Sequence, residues 1–136
     1  MIGMLLKIDP KPECLYATVT GHFSLEEATK TFLELLDAVA QHKSEKVLFD
    51  GREISGEVTA YQRFYYGDYV AGAVLALVDR SGMKPPDFAY VLKEPILDAG
   101  RFGELVAVNR GMRVKAFDNL EDALEWLGLR PSKLIP

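Results

Sequence analysis

The chain is poor in the residues that metal and redox chemistry draw on. Cys14 is its only cysteine, and His22 and His42 are its only histidines. A single cysteine forms no intramolecular disulfide, and no Cys/His set has zinc-ligand spacing. Met1, Met4, Met83 and Met112 share no common spacing either. There is no basic excess: 16 Lys and Arg stand against 20 Asp and Glu, a formal net charge of -4. That excludes the usual nucleic-acid binder, whose affinity rests on clustered cations. Arg110, Arg113 and Lys115 are interspersed with other residues and read as a solvated surface. No apolar run approaches the ~18 residues of a membrane span. The opening MIGMLLKID meets an aspartate and prolines before a signal-type apolar core can form, so a cytoplasmic location is expected. Neither G-x-G-x-x-G, nor a Walker A loop, nor G-x-S-x-G is present, and no cofactor or metal is implied.

What is present is an ordinary globular composition. With 136 residues, 49% of them hydrophobic, residues 1–136 are expected to form one domain with a sizeable core. Residues 4–9 read as a strand, and two prolines in PKPE mark a turn. In CLYATVTG, Leu15, Ala17 and Val19 alternate with Tyr16, Thr18 and Thr20, which predicts a second strand, antiparallel to the first across the short connection. Gly21-His22-Phe23 is expected to end it. Ser24 and Glu27 form a capping-box pattern ahead of a stripe of Leu25, Ala28, Phe32, Leu35, Leu36 and Val39. KVLFD has the length and apolarity of an interior parallel strand. Thr59 and Gln62 repeat the capping-box spacing before a helix over about 60–79, and Phe64, Ala71, Leu75 and Val78 suit its packed face. FAYVLK predicts a strand, residues 96 or 98 to 109 a helix, and MRVKAF a strand nearer an edge. Asn119 caps a last helix that Gly128 ends, with Trp126 expected in the core. Residues 129–136 read as a loosely held tail. The order β-β-α-β-α-β-α-β-α implies an α/β fold: a mostly parallel sheet of about five strands, one antiparallel strand at an edge, and about four helices.

This order and these segments resemble the STAS superfamily, and within it the SpoIIAA-like branch of small uncharacterised bacterial proteins. The segments that carry the resemblance are YATVTGHFSLEEATKTF, KVLFDGREISGEVTAYQRF, FAYVLKE and RVKAFDNLEDALEWL, together spanning nearly the whole chain. It implies a regulatory module that acts through protein contacts, as a homodimer or with a regulatory protein partner, and that is not an enzyme. In anti-sigma-factor antagonists of this fold, a serine opening the helix after the third strand is phosphorylated. Nine residues on from Asp50, the matching position here is Thr59, with Glu57-Val-Thr-Ala in place of Asp-Ser-(Ser/Thr)-Gly. Thr59 is therefore a possible phosphoacceptor as well as a helix cap, since a helix N-terminus favours added negative charge.

Other residue sets admit more than one reading. Asp50, Arg52 and Ser55 form an expected loop after the third strand. Asp50 would accept from loop amides or pair with Arg52, or Arg52 would contribute to an anion or partner-contact site. Tyr61, Tyr65 and Tyr69 share one i, i+4 row of the following helix, and Tyr66 points elsewhere. These tyrosines suit an interface or the lining of a small apolar-ligand site, as in the lipid-binding CRAL-TRIO domains of related topology. A less favoured enzyme reading would gather His22, Asp50, Arg52 and Glu94 at the carboxyl edge of the sheet.

Overall fold

The computed structural model describes residues 3–129. Nine elements follow in order: β1 (Met4–Pro10), β2 (Leu15–His22), α1 (Leu25–His42), β3 (Lys46–Ser55), α2 (Ala60–Ser81), β4 (Asp87–Val91), α3 (Phe102–Asn109), β5 (Arg113–Phe117) and α4 (Leu120–Trp126). The five strands form one sheet in sequence order, β1-β2-β3-β4-β5. β1 runs antiparallel to β2, and the remaining pairs are parallel. Because every β-α-β crossover steps the same way along the sheet, a right-handed connection sends each helix to the same side. α1, α2 and α3 accordingly share one face, where Leu15, Ala17, Val19, Val47, Phe49 and Phe88 meet Phe32, Leu35, Val70 and Val74. α4 returns over the other face, packing Ala123, Leu124 and Leu127 on Leu48, Ala89 and Val91. The period of two in β2, and in β3 up to Asp50, decides which residue joins which layer.

The helix ends follow the expected chemistry. Ser24 Oγ accepts from the Glu27 amide, and Asn119 Oδ1 accepts from the Asp122 amide. α2 opens on a complete capping box. Thr59 Oγ1 accepts from the Gln62 amide at 3.1 Å, and Gln62 Oε1 accepts from the Thr59 amide at 2.9 Å. Gly82 and Gly111 take positive φ just beyond α2 and α3, the position where a residue without Cβ is preferred.

Several boundaries and burials differ from expectation. β2 continues through His22 and β3 through Ser55, so Asp50, Arg52 and Ser55 lie in a strand rather than in a loop. The register gives the reason. Thr18 faces Asp50 and Thr20 faces Glu53, so Gly51 and Arg52 together oppose Val19 alone. This is a β-bulge, which re-aims the strand without ending it. α3 starts at Phe102 rather than at 96 or 98, because Arg101 sits in the left-handed region (φ 53) and breaks the helical run. In α2 the buried stripe is Gly67, Val70, Ala71, Val74 and Leu77. Phe64 is 41% exposed, and Leu75 is exposed as well. Trp126, expected in the core, is 37% exposed and packs its ring on Phe117. α4 spans only part of the sheet, so its indole lies at the edge of the contact. Leu129 is buried, and the rest of the expected tail lies outside the described residues.

Candidate functional site

The β3 bulge is held by a polar cluster on the α4 side of the sheet. Asp50 and Tyr16 occupy even positions, like Leu48 of the α4 layer, so both side chains leave the sheet on that face. Tyr16 donates its hydroxyl to Asp50 Oδ2 at 3.0 Å. Arg52 donates Nε to Oδ1 at 2.9 Å and Nη2 to Oδ2 at 2.7 Å, a two-pronged pair. The Arg52 amide, which the bulge takes out of the regular ladder, donates to Asp50 Oδ1 at 3.2 Å. Burial of the carboxyl would raise its pKa. The bonds from Arg52 and Tyr16 outweigh this and hold it below the ordinary carboxylate range. Burial, reinforced by the Asp50 charge, pushes the Tyr16 phenol up to about 12. The carboxylate's lone pairs and the guanidinium fork are thus directed at one another.

His22 belongs to a separate neighbourhood. Its Nδ1 lies 3.4 Å from Ser55 Oγ, which also reaches the Gly21 carbonyl at 3.5 Å. His22 is four residues along β2 from Thr18, the register partner of Asp50, or about 13 Å at strand rise. Asp118 accepts from Asn119 Nδ2 at 2.8 Å. Asp50, His22 and Asp118 therefore engage local partners, Glu94 is exposed, and the register does not bring His22 onto Asp50. Among the described residues, no group of three or more His, Cys, Asp and Glu is placed to hold a metal ion.

The tyrosines divide by helical angle. Tyr61 is 69% and Tyr65 43% exposed. Their rings lie 6.3 Å apart, and Tyr65 and Tyr69 are stacked at 6.3 Å, so an outward pair, Tyr61 and Tyr65, runs into a half-buried Tyr69 that packs against the core. The exposed residues Phe64 on α2 and Leu105 and Val108 on α3 add further apolar surface. Arg110 lies over the Phe64 ring at 5.3 Å while its Nε pairs with Asp68. Thr59 opens this helix at an exposed position.

Tyr66, 100° away, turns inward. Its hydroxyl lies 2.8 Å from that of Tyr90, and Tyr90 stacks on Phe49 at 4.2 Å. Desolvation raises both phenols above their usual range. These rings border a half-open pocket of about 120 Å³ between the sheet, α1, α2, α3 and residues 96–101. Ala28, Val70, Ala107 and Ala116 leave the space unfilled. Tyr61, Tyr65 and Tyr69 do not border it. Arg63 straps the adjoining loop, donating Nη1 to the Ile96 carbonyl at 2.5 Å and Nη2 to the Pro95 carbonyl at 2.8 Å. Sequence reasoning missed Arg63, Tyr90, Arg101 and Glu104 at this cavity. A visible signal was the pair Gly67 and Gly103: a Cβ at Gly67 would lie 2.7 Å from the Gly103 carbonyl oxygen, which marks a close α2–α3 crossing.

No family model matches the sequence, and no curated protein does. Among solved structures, the chain is similar to the crystal structure of an anti-sigma factor antagonist from Mycobacterium paratuberculosis. The TM-score is 0.56 and the identity 15%, over 93% of this chain and 95% of that one. It also matches an uncharacterized protein from the DUF3478 family with a SpoIIAA-like fold from Shewanella loihica PV-4. There the TM-score is 0.49 and the identity 19%, over 92% and 94% of the two chains. At 15% identity the first likeness is one of fold. Among the described residues, no helix is long and apolar enough to cross a membrane.

Proposed function

We propose that this chain, which has the STAS fold, is a regulatory module that works by protein contact and not by catalysis. The observation that carries the reading is the outward tyrosine pair of α2, Tyr61 and Tyr65, exposed beside Phe64. Tyrosines held in a row on a rigid helix present a large amphipathic contact area, and such residues are enriched in interface cores. Of the residues that a catalytic reading would use, Asp50 and Arg52 are paired with each other and Asp50 with Tyr16, and His22 lies by Ser55 away from them. The similarity to an anti-sigma factor antagonist supports the same reading at the level of fold.

Thr59 stands on the amino side of this pair. A phosphate there would meet the positive end of a 22-residue helix and would break the capping box that Thr59 shares with Gln62. Such a modification would act on the contact surface and on helix stability together. The test is sedimentation velocity on the wild type and on a Tyr61→Ala/Tyr65→Ala variant, with a photo-crosslinker placed at position 65 and, as control, at Glu121. A homodimer that dissociates in the variant, or a crosslinked partner seen only from position 65, is the expected result. A monomer that crosslinks nothing from position 65 more than from position 121 refutes it.

A further inference from the structure

We propose that the cavity between α1, α2, α3 and the sheet is a binding site for a small monocarboxylate whose apolar body has about six carbon atoms, as a ring or a short chain. The cavity is about 120 Å³ and is walled by Phe49, Tyr66, Val70, Tyr90, Ala107 and Ala116. An apolar cavity of about 150 Å³ stays dry and takes up benzene, so the size matches a single ring. Sites for drug-sized ligands run about 300–1,000 Å³, so the space within these walls suits one ring or a short chain.

The anionic end follows from the charges that border the same space. Arg63 is committed to the Pro95 and Ile96 carbonyls and lies 3.6 Å from Asp98. Glu104 Oε1 accepts from the Ala116 amide at 2.7 Å. Both oxygens of Asp98 take the Phe102 amide, at 3.3 Å. Arg101 differs from these groups. Its Nη1 donates to the Asp98 carbonyl at 3.2 Å, and among the described residues it has no carboxylate within ion-pair distance. Its remaining guanidinium hydrogens have no acceptor among the described residues, at a polar border that it shares with Arg63, Asp98 and Glu104 while the other walls are mostly apolar. A guanidinium favours a carboxylate over a neutral oxygen by charge and by two-pronged geometry.

This site uses the inward face of α2, whereas the protein-contact reading uses the outward one, so either can fail alone. The experiment is amide NMR titration of the full chain with benzoate and heptanoate, and with benzyl alcohol and heptanol as neutral counterparts. The acids are expected to shift the amides of Gly67, Val70, Gly103 and Ala107 saturably. Arg101→Gln should weaken both acids about tenfold to a hundredfold and leave the alcohols unchanged. Ala116→Leu, which fills the cavity, should abolish binding of all four. Should that variant not fold, the shift map and the Arg101→Gln comparison decide by themselves. Absence of saturable shifts at millimolar acid, shifts confined to other surfaces, or equal binding of the acids by Arg101→Gln and wild type would overturn the proposal.

Discussion

Replacing Asp50 by alanine tests whether the β3 bulge is held by its side-chain clamp. Removing one partner of a fully buried pair costs about 3–5 kcal/mol, because a charge is stranded. Here the Arg52 side chain is 35% exposed against 11% for Asp50, so the freed guanidinium can turn to water and most of that penalty lapses. What is lost is the charge-assisted bonding to Arg52 and Tyr16 and the acceptor for the bulge amide. Hydrogen bonds to charged groups contribute about 1.5–3 kcal/mol each at most, and the exposure of Arg52 discounts this. The expected loss is therefore about 2–3 kcal/mol in urea unfolding followed by circular dichroism. An Asp50→Ala/Arg52→Met cycle should return a coupling of about 1 kcal/mol or more. The clamp also sets a pH signature. A carboxyl whose folded pKa is depressed contributes stability above its unfolded value of about 3.9. That contribution is lost as pH falls through the lower folded value. The stability gap between wild type and Asp50→Asn should be full at neutral pH and close progressively below about pH 4. A loss under about 0.5 kcal/mol for Asp50→Ala, or a gap that does not narrow in acid, would show that backbone pairing alone holds the bulge.

Two glycines of α2 should respond oppositely to alanine. Gly72 has nothing within 4 Å of a built Cβ, so Gly72→Ala should gain about 0.5–1 kcal/mol in urea unfolding from helix propensity. Gly67→Ala should instead lose about 1–3 kcal/mol by forcing α3 away, and a gain at both would refute the close crossing. Thr59→Ala should cost about 1 kcal/mol through loss of the cap, with Thr59→Ser retaining most of it in the same assay. Burial pushes the Cys14 thiol up to about 11, so iodoacetamide labelling at pH 8 should be slow in the native chain and should track the urea transition. Rapid native labelling would contradict its burial.

The strands and helices were legible where one residue pattern had one structural reading. Alternation in residues 15–20 fixed both the strand and the face it buries. Ser24, Thr59 and Asn119 announced three helix starts, because an N-cap is a local bond between a side chain and an amide three residues on. The end of β3 was not legible. Asp50-Gly51-Arg52 looks like a strand stop, but residues 53–55 go on pairing with β2 beyond the bulge, and the Asp50 carboxylate supplies an acceptor for the Arg52 amide there. The packed face of α2 was not legible either: Phe64 and Leu75 are apolar enough for a core, but the buried stripe is Gly67, Val70, Ala71, Val74 and Leu77, with Gly67 set close against Gly103 and Val106 of α3.

The sequence by itself determined the element order, the antiparallel first strand, the three caps and the splitting of the tyrosines between two faces of α2. Each of these follows from interactions within a few residues or from helical and strand periods. Only the tertiary structure decided that Asp50 meets Tyr16 across 34 positions, that Tyr66 meets Tyr90, and that small side chains from the sheet and three helices leave a common hollow with Arg101 at its border. A cavity is a difference between the volume a fold encloses and the side-chain volume that fills it. No single segment carries that difference; it exists only once the elements have packed.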